Sequence, residues 1–157
     1  MNIEIREIPP RRIACVSHRG PYHLIGKAFG ELGAWAQEAG AQAGPMLGVY
    51  YDHPGATPAE ELRSDAGLVV PAEFATDDPR VHVVDLPGGT YAVGTHVGSY
   101  EGLPNAWAEL TGKWLPLSGC TLAAAPALEV YLDDCAVVPA EQVRTEICLA
   151  VQRPAGH

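Results

Sequence analysis

The apolar residues fall into two periodicities that alternate along the chain. Ile25, Ala28, Phe29, Leu32, Trp35, Ala36 and Ala39 recur at three- and four-residue steps, one face of a helix over Leu24–Ala39. Gly40 and Gly44-Pro45 predict its end. Leu103, Ala106, Trp107, Leu110 and Trp114 carry a second stripe, with Pro116 beyond the expected end of that helix. Short runs rich in Val, Ile, Leu and Tyr surround the helices and predict strands at Ile3–Ile8, Arg12–His18, Met46–Asp52, Ala66–Val70, Val81–Leu86, Thr90–Val97, Leu128–Leu132 and Val143–Val151. Pro9-Pro10 and Pro87-Gly88-Gly89 each separate two such runs, and each is expected to turn a short hairpin.

The order of these elements repeats. Pro9, Ala14, His18, Gly20 and Tyr22 return as Pro87, Ala92, His96, Gly98 and Tyr100 at an offset of 78, and Phe29 falls on Trp107 at the same offset. The offset then becomes 81: Val49-Tyr50-Tyr51-Asp52 falls on Val130-Tyr131-Leu132-Asp133, and Arg63-Ser64-Asp65 on Arg144-Thr145-Glu146. Several matching blocks in one order, with a single three-residue shift, identify an internal duplication.

Two β-β-α-β-β units each leave an apolar sheet face to cover. The expected fold class is therefore α+β, with an antiparallel sheet, two helices on one side and pseudo-twofold symmetry between the copies. The chain reads as one domain over 1–157, with repeat halves 1–71 and 81–157 joined by the linker 72–80, which holds Asp77-Asp78-Pro79. A groove near the symmetry axis is the natural place for a small ligand.

Composition narrows the function classes. The net charge is −9 and the only lysines are Lys27 and Lys113, so no basic run exists to track phosphates and direct nucleic-acid binding is not expected. No apolar run approaches the ~20 residues that span a bilayer, and Met-Asn-Ile-Glu-Ile-Arg lacks the pattern of a signal peptide; a cytoplasmic protein with no membrane partner is expected. Cys15 and Cys148 sit in apolar runs as small buried residues, whereas Cys120 and Cys135 near predicted loops leave a redox pair open. There is no C-x-x-C and no His-Cys spacing of a zinc site, so neither a metal nor a cofactor is expected.

A duplication lets each copy act as a control for the other. Gly48 aligns with Glu129, both followed by Val-Tyr, yet one is bare backbone and the other a carboxylate. Strand alternation puts Glu129 with Tyr131 on one face, and Gly48 with Tyr50 on the matching one. An acid among tyrosines, near helices bearing Phe29, Trp35, Trp107 and Trp114, would suit a flat or cationic organic ligand through stacking, cation–π attraction and charge pairing. The plain alternative is a solvent-facing Glu129 above an ordinary tryptophan core. His18 and His96, equivalent and each two residues before a glycine, read as structural, and Arg63 with Asp65 and Arg144 with Glu146 read as exposed charge pairs.

Val49-Tyr50-Tyr51-Asp52-His53-Pro54, Thr57-Pro58-Ala59-Glu60-Glu61-Leu62-Arg63-Ser64-Asp65, Gly88-Gly89-Thr90-Tyr91-Ala92-Val93 and Glu129-Val130-Tyr131-Leu132 together resemble the GyrI-like family, which takes in DNA gyrase inhibitors of the SbmC type. The similarity runs the length of the chain. It implies a duplicated α+β fold shared with the effector-binding domains of AraC- and MerR-type multidrug regulators, in which a buried glutamate matching Glu129 meets cationic or aromatic compounds between aromatic walls. With the first strand at Ile3, the expectation is a stand-alone binding module for a cationic or aromatic drug or toxin, without a DNA-binding domain. Two other activities described in the family stay open: hydrolysis of electrophiles such as cyclopropane-bearing DNA alkylators, with Glu129 as acid or base, and a protein partnership with DNA gyrase.

Overall fold

The computed structural model describes residues 1–41, 44–133 and 137–154; Cys135, one of the candidate redox cysteines, lies outside them. The fold is α+β, and every strand pairing among the described residues is antiparallel. In chain order the elements are β1 (Ile3–Ile8), β2 (Arg11–Arg19), α1 (Gly26–Ala39), β3 (Met46–Tyr50), β4 (Arg63–Val70), β5 (His82–Leu86), β6 (Gly89–Val97), α2 (Leu103–Glu109), α3 (Leu115–Ser118), β7 (Thr121–Leu122), β8 (Ala127–Tyr131) and β9 (Arg144–Gln152). The eight expected strands are present. The ninth, β7, is a two-residue strip paired with Val151 and Gln152.

The chain forms two compact units, one made of Pro9–Gly88 and the other of Met1–Ile8 with the chain from Gly89 onward. The first unit has strand order β3-β4-β2-β5, and the second β1-β6-β9-β8. The two expected hairpins do not form. β1 pairs not with β2 but with β6, Ile3 opposite Gly94 through Ile8 opposite Gly89, and β5 pairs with β2, Arg11 opposite Leu86 through Cys15 opposite His82. The cause is in the two-residue links Pro9-Pro10 and Pro87-Gly88. A two-residue hairpin turn needs positive φ at its first central residue, and a proline ring fixes φ near −65°. Each link therefore carries the chain onward, and the first strand of each repeat is exchanged into the unit built on the other repeat.

In each unit a helix covers one sheet face. Ala28, Leu32, Trp35 and Ala36 of α1 pack on Ala14 and Val16 of β2 and on Ala66 and Leu68 of β4. Leu103, Ala106 and Leu110 pack on Ala92, Ile147 and Leu149 in the other unit. Leu32 and Leu110 are wholly buried, worth about 1.5–3 kcal/mol each in removal from water. The α1 helix stops where the stripe predicts, with Gly40 in the left-handed conformation at φ 67° and its N–H bonded to the carbonyls of Ala36 and Gln37. The second helix does not stop before Pro116. A π-helical turn over Leu110–Trp114 joins α2 to α3, which contains Pro116 and ends at Gly119, φ 78°. The Leu115 N–H reaches back five residues to the Leu110 carbonyl. This re-phases the helix so that proline falls in the first turn of α3, where a missing N–H costs little.

No helix among the described residues is long and apolar enough to cross a membrane.

Candidate functional site

Glu129 is buried, with 8% of its surface exposed, which excludes the solvent-facing alternative. It sits in β8 opposite Ile147 of β9, on the face that α2 covers. Trp107 of α2 donates its indole Nε1–H to Glu129 Oε2 at 2.7 Å, and the Tyr131 hydroxyl donates to Oε1 at 2.8 Å. The carboxylate is thus held at both oxygens. Both donors are neutral, so they fix its orientation without cancelling its formal charge. The Thr111 hydroxyl, in the π turn, donates to the Trp107 carbonyl at 2.8 Å and ties the tryptophan's own backbone. Tyr100 meets the Tyr131 ring edge-on, centroids 5.5 Å apart.

The equivalent place in the Pro9–Gly88 unit is built differently. Tyr22 and Tyr50 form the same edge-on pair, centroids 4.8 Å apart, so the two tyrosine pairs are true repeat equivalents. The Tyr50 ring, however, lies over Gly48. A Cβ on Gly48 would stand 2.6 Å from the Tyr50 hydroxyl oxygen and 2.9 Å from its Cζ, so the glycine is required by close approach of the ring. Phe29, the counterpart of Trp107, is half-buried against the α1 core and has no N–H to give. Acid and indole donor therefore occur together in one copy, and both are missing from the other.

The remaining sequence candidates divide. Trp107 is half-buried, as is Phe29, rather than fully enclosed. Trp35 is 2% exposed and packs edge-on against Phe74 with centroids 6.0 Å apart, the setting of a core side chain. Trp114 is half-buried and packs on the cluster around Leu110. His18 and His96 each bond a backbone carbonyl three residues on, Pro21 and Ser99, at 2.9 Å, and so brace equivalent corners after their strands. Arg63 and Arg144 do not pair with Asp65 and Glu146. They hold Asp52 and Asp133, Arg63 Nη2 at 3.0 Å from Asp52 Oδ1 and Arg144 Nη2 at 3.0 Å from Asp133 Oδ1, while the backbone N–H of each arginine donates to the same carboxylate. The strand register, not sequence proximity, selects those partners. Asp65, read from the sequence as an exposed partner of Arg63, is instead 5% exposed and lines a cleft of about 310 Å³ in the Pro9–Gly88 unit. Its departure from Glu146 is too small a change of type to have drawn attention.

The duplicated α+β scaffold is that of a family of small-molecule-binding domains. The chain belongs to the GyrI-like small molecule binding domain family, which it matches over residues 1–152. It is 33% identical over 140 residues to a DNA gyrase inhibitor of Erwinia billingiae (strain Eb661), covering 85% of this chain and 88% of that one. Its structure resembles the EcmrR C-terminal domain, with TM-score 0.82, 19% identity and coverage of 97% of this chain and 98% of that one. The chain spans 57% of the EcmrR chain in a complex of that protein with DNA. It also resembles SAV2435, solved bound to tetraphenylphosphonium, with TM-score 0.64, 15% identity and coverage of 97% and 94%.

Proposed function

We propose that this GyrI-like domain binds a cationic or aromatic organic molecule at Glu129 and acts as a sequestrant of such compounds. The observation that carries the reading is the buried carboxylate fixed by Trp107 and Tyr131. Burial lowers the local dielectric and strengthens attraction for a cation, and the Trp107 and Tyr131 donors hold the oxygens in a fixed orientation. A bulky, weakly hydrated organic cation loses little on leaving water and can also face the rings of Trp107, Tyr131 and Tyr100. The tetraphenylphosphonium held by the structurally similar SAV2435 is a compound of this class.

The test is titration calorimetry with tetraphenylphosphonium and with the neutral triphenylphosphine oxide. Glu129→Gln should weaken the cation by about 2–5 kcal/mol and the neutral compound much less. Equal affinities of parent and variant for both would retire Glu129 as a binding residue. Mass analysis of incubated electrophiles belongs with the same experiment, since turnover would make the site a hydrolase with Glu129 as its acid or base. A gyrase partnership is a second reading, favoured by the name of the relative that is 33% identical. It predicts inhibition of gyrase supercoiling by the purified chain, which pure sequestration does not.

A further inference from the structure

Asp65 departs from its repeat equivalent in a way the ligand site does not explain. In the other unit Glu146 is met by Arg6 of β1, Nη1 to Oε2 at 2.9 Å. The residue at the Arg6 position in β5 is Val84, so Asp65 has no such arginine across the sheet. Its surroundings have changed as a set. Cys15 replaces Val93, His82 replaces Glu4 and Tyr51 replaces Leu132. Register converges them: Cys15 of β2 lies directly opposite His82 of β5, and Ser17, two residues along on the same face, lies opposite Asp65 of β4. The Cys15 Sγ, one Asp65 oxygen and a His82 ring nitrogen all lie within 4.8 Å of one another.

We propose that Cys15, Asp65 and His82 form a divalent transition-metal site, with Zn²⁺ the ion it fits best. One thiolate, one imidazole and one carboxylate are the three donor types that zinc takes, and three protein ligands with an open position is the pattern of an accessible zinc site. The thiol disfavours Mg²⁺ and Ca²⁺. Zinc bonds of about 2.0–2.3 Å require donors roughly 3.3–3.8 Å apart, and His82 Nε2 already stands 3.7 Å from Asp65 Oδ1. The second shell is already in place. Ser17 donates to Asp65 Oδ1 at 2.7 Å and Tyr51 to Oδ2 at 2.6 Å, which fixes the carboxylate as metal-bound carboxylates are fixed. The half-exposed His82 side chain opens the site to solvent, and the cleft bordered by Ser17, Tyr51 and Asp65 lies beside the carboxylate ligand. Binding through the thiolate releases the thiol proton to solvent. Sequence spacing hides this site because its ligands lie on three separate strands.

The test is Co²⁺ titration of the full chain after chelator treatment. One equivalent should produce the visible bands of a four-coordinate site together with a thiolate-to-cobalt charge-transfer band, and one equivalent of Zn²⁺ should abolish both. Cys15→Ser should remove the charge-transfer band. His82→Gln, on an exposed strand edge where folding is not at stake, and Tyr51→Phe should each weaken Co²⁺ at least about tenfold. A folded parent protein that gives no thiolate band overturns the proposal, as does a band that survives Cys15→Ser or affinity unchanged in His82→Gln.

Discussion

Trp107→Phe isolates the bond on which the proposed ligand site rests. The change removes the indole N–H that lies 2.7 Å from Glu129 Oε2 and keeps an aromatic ring in a half-buried position. A hydrogen bond to a buried charged group is worth about 1.5–3 kcal/mol, and the smaller ring adds a packing loss that depends on how α2 relaxes. Glu129→Gln supplies the control. A glutamine has one acceptor and one donor end, while the indole is a donor only. In Glu129→Gln the side-chain carbonyl must therefore face Trp107 and the amide nitrogen must donate to Tyr131, whose hydroxyl can turn to accept. Two charge-assisted bonds become two neutral ones, but a buried charge is also removed, so Glu129→Gln should shift stability by less than about 2 kcal/mol in either direction. The packing loss of Trp107→Phe is common to both backgrounds and cancels. The coupling between the two positions should be about 1–2 kcal/mol. Urea melts of the four proteins at pH 7, fitted with a shared m-value, measure it. Additive effects within about 0.3 kcal/mol would mean that the indole does not hold the acid in solution, and the preorganised site would fall with it.

Gly48→Ala brings a methyl group within 2.6 Å of the Tyr50 hydroxyl; it should cost about 1–3 kcal/mol in urea melts, and much less when Tyr50→Ala is also present. The hydroxyl of Thr145, wholly buried, has no hydrogen-bond partner among the described residues, so Thr145→Val should leave stability level or raise it by up to about 1 kcal/mol, again by urea melts. Arg63 holds Asp52 below the usual carboxylate range through its guanidinium bonds, and Arg144 does the same to Asp133. The unfolded chain takes up those protons first, so this stability is fully present above the unfolded carboxyl value of about 3.9 and is lost as pH falls through the lower folded values. Melting midpoints between pH 6 and 2.5, taken as roughly the span of that loss, should fall less steeply in the Asp52→Asn, Asp133→Asn double variant than in the parent.

What was legible in the sequence is what depends on periodicity. The stripe from Ile25 to Ala39 and the return of Tyr22 and Tyr50 as Tyr100 and Tyr131 were enough to give the duplication, the α+β class and the elements. Comparing Gly48 with Glu129 singled out the acid, because a glycine under a ring and a carboxylate on an indole are unlike enough to stand out. What depends on which strand lies beside which was not legible. Strand pairing is a long-range choice, so the apparent hairpins misassigned β1 and β5, and Arg63 and Arg144 were matched with the acid nearest in sequence. The helix running on through Pro116 was missed for a local reason: a five-residue turn leaves no mark in a four-residue stripe.

The exchange of first strands also sets a timetable for synthesis. Pro9–Gly88 is contiguous, so all four of its strands and its helix have left the ribosome together and can close on one another. β1, made before any of them, finds its neighbour only when Gly89–Val97 emerges. Over roughly 80 residues at about 5–20 residues per second, that strand waits for about 4–16 s, longer than a small domain needs to fold. Throughout that interval it carries unpaired backbone groups, and its Glu4, Arg6 and Glu7 keep it solvated while it waits.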